Sequence, residues 1–152
     1  MVNWLHGWDA FDEDDDNDFA ERKEFVLGDI FHSNAIAIGP PLPYLRFETG
    51  YGPASDVNTF MGTYKHRNRA IYVGANDGML HAFEAGAFSD PNTSVVGAEY
   101  YTPGSGSELF AYVPGALLPR VKQLPKLDTG KQYMVDGSGA AADVWIDYDN
   151  DG

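Results

Sequence analysis

One strand–turn–strand unit constrains the fold of this chain more than any other feature. Residues 71–74 and 79–83 are short apolar segments, joined through residues 75–78 with the sequence Ala-Asn-Asp-Gly. Asn and Asp-Gly favour the backbone twist of a tight hairpin turn, and the flanking β-branched and aromatic residues favour extended strands. The sequence therefore predicts a β-hairpin over residues 71–83.

A similar arrangement of apolar segments and turns continues on both sides of this hairpin. Short apolar segments alternate with Gly- and Pro-containing turns, which predicts an all-β protein. The predicted strands are Ala35–Ile38, Ala70–Val73, Met79–Phe83, Leu109–Val113, Gln132–Val135 and Ala142–Ile146. One helical turn is expected near Pro114–Val121. Residues 39–65 and 84–108 are rich in Gly, Pro, Ser and Thr, and they are expected to be long surface connections.

The last six residues have the spacing of a calcium-binding loop. Such a loop places carboxylates at positions 1, 3 and 5 and Gly at position 6, so that hard oxygen ligands converge on one ion. These positions are occupied by Asp147, Asp149, Asp151 and Gly152. The ligands of positions 7 and 12 would follow residue 152, so the sequence predicts a Ca²⁺ site that is half built. The alternative is a plain turn, in which Asp and Asn bond their own backbone.

A second acidic run lies near the amino terminus. The aspartates at its alternate positions are Asp12, Asp14, Asp16 and Asp18. Asn17 stands where a calcium loop prefers Gly, and Asn tolerates the left-handed conformation that this position requires. The twelfth position of the frame is Lys23, which is wrong for a cation ligand. The run is expected to be either a solvated charged loop or a weaker, second Ca²⁺ site.

Composition bounds the partners of the chain. The net charge of −13 argues against nucleic acid, because phosphate binding depends on Lys and Arg, and it makes cations the natural partners. A hydrophobic content of 43% predicts a globular protein. The chain has no apolar run of about 18 residues, which argues against a membrane span. It has no cysteine, which excludes disulfides and thiolate metal sites.

The hairpin also resembles a family signature. Residues 72–83 are similar to the Tyr-x-Gly-x-x-Asp-Gly-x-Leu-x-Ala hairpin in the blades of quinoprotein-like β-propellers. Three further segments resemble, in order and spacing, the carboxy-terminal propeller of PilY1-type proteins: Gly28–Ser33, Glu108–Pro114 and Met134–Gly137. That family comprises type IV pilus tip-associated adhesin and assembly factors.

The resemblance implies an incomplete quinoprotein-like β-propeller over residues 25–152, with long loops, preceded by an acidic segment over residues 1–24. It implies a non-enzymatic role in type IV pilus biogenesis and adhesion, at the pilus tip or the outer-membrane-associated cell surface, after export from a longer precursor. The implied cofactor is Ca²⁺, with Asp147, Asp149 and Asp151 as side-chain ligands.

The partners that the resemblance implies are minor subunits of the type IV pilus or pilus assembly proteins, with a host or surface receptor as a further candidate. Ion occupancy is expected to order the calcium loop and to bias pilus extension or retraction, on which twitching motility depends.

Two enzymatic functions are alternatives to this role. A fragment of a pyrroloquinoline quinone-dependent dehydrogenase is the alternative, because those enzymes share the blade signature and use Ca²⁺, but the chain lacks Cys and a visible set of cofactor ligands. Asp29, His32 and Ser33 contain the residue types of a hydrolase triad. Adjacent strand residues point to opposite faces, so no catalytic residue is predicted.

Overall fold

The computed structural model describes residues 2–23, 26–41, 50–88, 102–126 and 130–144. Its strands are β1 (Ile36–Ile38), β2 (Arg69–Gly74), β3 (Leu80–Gly86) and β4 (Glu108–Tyr112). They form a four-stranded sheet in the order β1-β2-β3-β4, so each strand lies beside its neighbour in sequence. Four-stranded sheets are the building units of propeller blades. The prediction of an all-β protein is confirmed.

The predicted hairpin is the centre of this sheet. β1 and β2 run antiparallel, with Ile36 opposite Tyr72. Between β2 and β3, the Ala75 N–H donates to the Met79 carbonyl at 3.0 Å. Gly78 has φ +89°, a left-handed conformation that only Gly adopts without strain. The Asp-Gly turn therefore forms where the sequence places it.

The sheet matches four of the six predicted strands, with ends that differ by at most three residues. The strand predicted over Gln132–Val135 is wrong, because this segment is irregular. Its backbone bonds to side chains instead: the Met134 N–H donates to Asn76 Oδ1 at 3.1 Å, and the Val135 carbonyl accepts from Ser33 Oγ at 3.0 Å. The prediction over Ala142–Ile146 extends outside the described residues, and residues 142–144 are irregular.

Short helices interrupt the sheet. They are α1 (Val2–Leu5), α2 (Phe60–Tyr64), a 3₁₀ turn (Gly115–Leu117) and α3 (Leu118–Val121). The 3₁₀ turn and α3 confirm the helical turn predicted near Pro114–Val121. The description of residues 39–65 as surface connection is wrong for α2. Thr59 caps that helix, because its side chain accepts a hydrogen bond from the Gly62 N–H at 3.1 Å.

The chain divides into two compact units. The first comprises Met1–Ala35, Val73–His81 and Phe110–Gly139; the second comprises Ile36–Tyr72, Ala82–Leu109 and Ala140–Gly152. Among the described residues, the buried apolar side chains of the first unit are Trp4, Val73, Ala75, Met79, Val121 and Met134. Those of the second are Tyr51, Met61 and Ala82.

A buried carboxylate organises the first unit. Asp77, only 7% exposed, accepts hydrogen bonds from the Gly28 N–H at 2.8 Å and from the Met79 N–H at 3.0 Å. Its Oδ2 also lies 2.9 Å from Nε2 of the buried His81. These contacts satisfy a charge that burial would otherwise penalise heavily. Asp77 is thus a structural link between the hairpin turn and the segment that begins at Gly28.

Asn76 extends this link in two directions. Its backbone N–H donates to the Asp29 carbonyl at 3.0 Å, and its side-chain Oδ1 accepts from Met134. Residues 28–33, 72–83 and 134–137 are far apart in sequence, yet all three segments bond to one another around this turn. Three of the four segments that carry the family resemblance therefore meet in space.

Two glycines allow this close approach. A Cβ built at Gly74 would lie 2.3 Å from the Val135 carbonyl oxygen, and one at Gly28 would lie 2.4 Å from the Asp77 backbone nitrogen. Both obstacles are backbone atoms, which cannot move aside as the tip of a side chain can. The absence of a side chain at these two positions is therefore a packing requirement.

Gly74→Ala is expected to lower the free energy of unfolding by about 1–3 kcal/mol, the usual cost of overpacking, because the new methyl group meets the Val135 backbone. Gly115→Ala is the matched control, since nothing lies within 4 Å of its Cβ position, and it should change stability by less than about 0.5 kcal/mol. Urea unfolding of both variants measures the difference. Equal stability of the two variants would contradict the packing account.

Candidate metal centre

The acidic segment of the first unit forms a loop whose two ends are tied together. Trp8 and Arg22 pair as an antiparallel bridge. The Asp9 N–H donates to the Glu21 carbonyl, and the Lys23 N–H donates to the Gly7 carbonyl, each at 3.0 Å. This closure holds the acidic residues between 9 and 21 in one place, although the loop contains no regular secondary structure.

Aspartate side chains shape the interior of the loop. Asp12 Oδ1 accepts from the Asn17 N–H at 2.9 Å, and Asp16 Oδ1 accepts from the Asp18 N–H at 2.7 Å. Positive φ angles occur at Asp12 (+56°), Asp15 (+61°) and Asn17 (+67°). Asp and Asn tolerate this conformation better than other residues with side chains, which explains how so tight a loop forms without glycine.

Two groups of carboxylates converge in the loop. The first contains Asp12, Asp14 and Asp16, and the second contains Asp9, Asp14 and Glu21. Within each group the ligand oxygens all lie within 4.8 Å of one another. Asp14 belongs to both groups and joins them. Oxygen ligands of this kind are the ones that Ca²⁺ prefers, so the donor chemistry fits a hard divalent cation.

The structure brings together three of the four aspartates predicted for the second site. Asp18 is in neither group, and its Oδ1 accepts from the Ala20 N–H at 2.9 Å. Lys23, at the twelfth position of the predicted frame, lies with its Nζ 3.6 Å from the ring centroid of Trp4.

Sequence reasoning missed Asp9 and Glu21. Both are acidic and close in sequence to the run, but they fall outside its alternating frame. They join the aspartates only because the Trp8–Arg22 bridge brings the two ends of the loop together. A twelve-residue calcium frame could not have indicated either of them.

The carboxylates in the loop repel one another. The pKa of Glu21 is raised above its ordinary 4.5, chiefly by the negative charge of Asp16, then by burial, and then by Asp14, Asp18 and Asp9. A folded state that holds these carboxylates close to Glu21 works against the ionisation of Glu21. A bound divalent cation would remove this repulsion.

The primary predicted ligands, Asp147, Asp149 and Asp151, lie outside the described residues. The terminal calcium loop therefore stays a prediction.

The residue types of a hydrolase triad are placed in other contacts. Ser33 Oγ donates to the Val135 carbonyl, and Asp29 pairs with Lys131 at 2.7 Å. His32 Nδ1 lies 3.6 Å from Asp136 Oδ2. This arrangement differs from the Ser–His–Asp chain that a nucleophilic triad requires. Among the described residues, no helix has the length and apolar character that crossing a membrane would require.

Comparison with known proteins identifies relatives of the chain. The family model of the PilY1 beta-propeller domain matches residues 27–151. A type IV pilus biogenesis factor PilY1 homolog of Xylella fastidiosa (strain Temecula1) is 32% identical over 145 residues, covering 95% of this chain and 10% of the relative. The type IV pilus biogenesis factor PilY1 of Pseudomonas aeruginosa is 31% identical over 148 residues in strain PAK, covering 95% of this chain and 11% of that protein.

The chain is also similar to a protein from a second Pseudomonas aeruginosa strain. In strain UCBPP-PA14 the protein of the same name is 29% identical over 129 residues, covering 83% of this chain and 10% of the relative. The chain thus spans about a tenth of the length of the curated relatives it matches. No solved structure matches it significantly.

Glu21→Gln is expected to raise the melting temperature of the chain in chelator at pH 7, because the folded loop then contains one fewer mutually repelling carboxylate. The same substitution should reduce the rise in melting temperature that Ca²⁺ produces, since it removes a candidate ligand. Calorimetry in chelator and in Ca²⁺ measures both effects. Asp15→Asn removes the same charge outside both carboxylate groups, and it should change each value less.

The sign of the pH dependence follows from the raised pKa of Glu21. The Glu21 carboxyl stays protonated to a higher pH in the folded protein than in the unfolded chain. The contribution of Glu21 to stability therefore falls as the pH rises from about 4.5 through the folded pKa. In chelator, the melting temperature of Glu21→Gln should therefore exceed that of the wild type by more and more as the pH rises across that interval. A constant difference, or a variant that melts lower in chelator, would contradict the repulsion.

Proposed function

Since this chain belongs to the PilY1 β-propeller family, we propose that it is a Ca²⁺-binding part of the propeller of a type IV pilus biogenesis and adhesion protein. Its membership confirms the resemblance seen in the sequence and the prediction of a partial β-propeller. The relatives are type IV pilus biogenesis factors, which associates the family with the pilus machinery and with a surface or envelope location.

The observation that carries the calcium proposal is the convergence of five carboxylates in one closed loop. They are Asp9, Asp12, Asp14, Asp16 and Glu21. The raised pKa of Glu21 supports the proposal, because it records the repulsion that a cation would relieve. Bound Ca²⁺ would favour the folded arrangement of the loop over others by mass action. The terminal loop of Asp147, Asp149 and Asp151 is proposed as a separate Ca²⁺ site.

The exposed edge of the sheet supports a role within a larger propeller. β4 is the last strand of the sheet, and its apolar side chains are largely exposed: Leu109 is 54%, Phe110 48% and Tyr112 57% exposed. Soluble proteins normally cover such edges or protect them with charge. We propose that further propeller blades of a longer protein cover β4, in keeping with relatives about ten times the length of this chain.

At the pilus, the proposed role is conformational. Ca²⁺ occupancy would fix the acidic loop and bias pilus extension or retraction, and with it twitching motility. The proposed location is the pilus tip or cell surface after export, and the proposed partners are minor pilus subunits, pilus assembly proteins and a surface receptor. The relatives reported above are named as biogenesis factors, and no observation favours the quinoprotein dehydrogenase alternative.

Asp14→Asn is the sharpest test of this function, because Asp14 belongs to both carboxylate groups. In the isolated chain it should weaken Ca²⁺ binding at least about tenfold, since even residues that only support metal ligands carry that cost. In a full-length protein that contains this chain, it should lower twitching motility and the response of motility to Ca²⁺. Asp15→Asn is the matched control and should preserve both.

The two proposed sites can be separated by titration calorimetry. A chain extended by about six residues, to complete the terminal loop with Glu at position 12, should bind one more Ca²⁺ than the original chain. Asp147→Ala combined with Asp149→Ala should remove only that additional site. If neither chain binds Ca²⁺, or if Asp14→Asn leaves binding and motility at wild-type levels, the acidic loop is not a calcium switch.

A further inference from the structure

An exposed cluster of aromatic side chains in the first unit holds a lysine ammonium group. Lys131 Nζ lies 4.8 Å from the ring centroid of Phe31 and 5.6 Å from that of Tyr133. The same Nζ lies 2.7 Å from Asp29 Oδ2. Ring faces attract a cation through their quadrupole, and a carboxylate attracts it through its charge. We call Asp29, Phe31 and Tyr133 the ammonium site.

Backbone hydrogen bonds hold the parts of the ammonium site together. The two ring centroids are 5.5 Å apart, and the ring planes are tilted by 39°. The Asp29 carbonyl accepts from the Asn76 N–H at 3.0 Å, and the Tyr133 carbonyl accepts from Arg120 Nη2 at 2.7 Å. The hairpin turn and α3 therefore arrange the site before a ligand arrives, which lowers the entropic cost of binding.

His32 adds a third ring to the cluster. Its ring centroid lies 4.0 Å from that of Phe31 and 6.5 Å from that of Tyr133. Its backbone has φ +63°, which is uncommon for a residue with a side chain. Strained conformations persist where the surrounding structure enforces them, and they cluster at ligand sites. The strain at His32 is therefore a second observation that favours a binding role for the cluster.

Lys131 covers the ammonium site incompletely. With this lysine in place, Phe31 is still 41% exposed and Tyr133 is 45% exposed. The side chains of Lys131 and Asp29 are 51% and 52% exposed, and ion pairs in such positions are weak, so the lysine can leave at small cost. A larger cation that covers more of both rings would gain apolar burial that the lysine ammonium leaves unused.

The charge around the ammonium site selects a cation. The hydrogen bond with Lys131 lowers the pKa of Asp29, so this carboxylate is ionised at neutral pH. Asp136, whose Oδ2 lies 3.6 Å from His32 Nδ1, places a second carboxylate beside the cluster. The whole chain has a net charge of −13. A positively charged ligand is therefore attracted both at the site and from a distance.

We propose that the ammonium site binds a trimethylammonium group, such as that of choline, in exchange for Lys131. The methyl groups contact the ring faces of Phe31 and Tyr133, and the positive charge faces Asp29. Lys131 occupies the site when the ligand is absent and moves into solvent when the ligand binds. None of these residues belongs to the two carboxylate groups of the acidic loop, so the proposal is independent of Ca²⁺ binding.

Titration of the chain with choline chloride tests the ligand class. All titrations contain chelator and are made at constant ionic strength, because any cation accumulates around a chain of net charge −13. The matched probe is 3,3-dimethylbutan-1-ol, which has the shape of choline with a carbon atom in place of the charged nitrogen. Choline should bind about tenfold more tightly than this neutral alcohol. Equal affinities, or no binding of choline, would overturn the proposal.

Lys131→Ala tests the exchange. Removal of the resident ammonium group should raise the affinity for choline about two- to fivefold, which corresponds to the strength of an exposed ion pair. Lys122→Ala is the matched control, because it removes the same charge from another exposed position of the first unit, and it should leave the affinity near that of the wild type. An equal rise in both variants would reflect net charge alone and would contradict the exchange.

Phe31→Leu tests the contribution of the rings. It keeps apolar bulk and removes one ring face, so it should weaken choline binding about two- to fivefold. Phe19→Leu, at an exposed aromatic residue of the acidic loop, should leave the affinity unchanged. If Phe31→Leu shows no thermal transition, NMR of the wild type decides instead. Choline should shift the ring signals of Phe31 and Tyr133, and shifts confined to other residues would overturn the proposal.

Vesicles distinguish two sources of the same ligand group. If the source is a lipid headgroup, the chain should sediment with phosphatidylcholine vesicles and not with phosphatidylglycerol vesicles, and free choline should release it. Binding of choline without sedimentation identifies a soluble ligand of the same site. Equal sedimentation with both kinds of vesicle would contradict recognition of the trimethylammonium group.

Discussion

The first unit depends on the hydrogen bonds that a buried carboxylate accepts at a hairpin turn. Asp77 bonds to the Gly28 and Met79 N–H groups and lies beside His81, and each partner lost would remove part of the hydrogen bonding that compensates this buried carboxylate for its distance from water. The chain segment that begins at Gly28 therefore stabilises the turn. Asn76 adds Met134 to the same assembly. The family signature at this turn is thus explained by packing and hydrogen bonding.

Local chemistry determined which parts of the fold could be predicted. The hairpin and the neighbouring strands follow from Asn, Asp-Gly and short β-branched runs, and the structure confirms them. Gln132–Val135 has the composition of a strand, but tertiary contacts override it, because Asn76 and Ser33 satisfy its backbone groups. Helix α2 was missed because its start depends on one capping residue, Thr59, in a segment rich in turn formers.

The candidate metal site was predictable only in part, for a similar reason. The alternating spacing indicates Asp12, Asp14 and Asp16, since sequence frames describe neighbours along the chain. Asp9 and Glu21 enter the site through loop closure at Trp8 and Arg22, which no spacing rule contains. Family and blade architecture follow from the sequence, whereas ligand sets require the folded chain.

Amide hydrogen exchange, followed by NMR, tests the central role of Asp77 most directly. The N–H groups of Gly28 and Met79 lie outside the strands, but each donates to the buried Asp77 carboxylate. Exchange reports the free energy of local opening. These two amides should exchange as slowly as those in the centres of β2 and β3. If they exchange as fast as the amides of the exposed acidic loop, Asp77 does not hold the unit together.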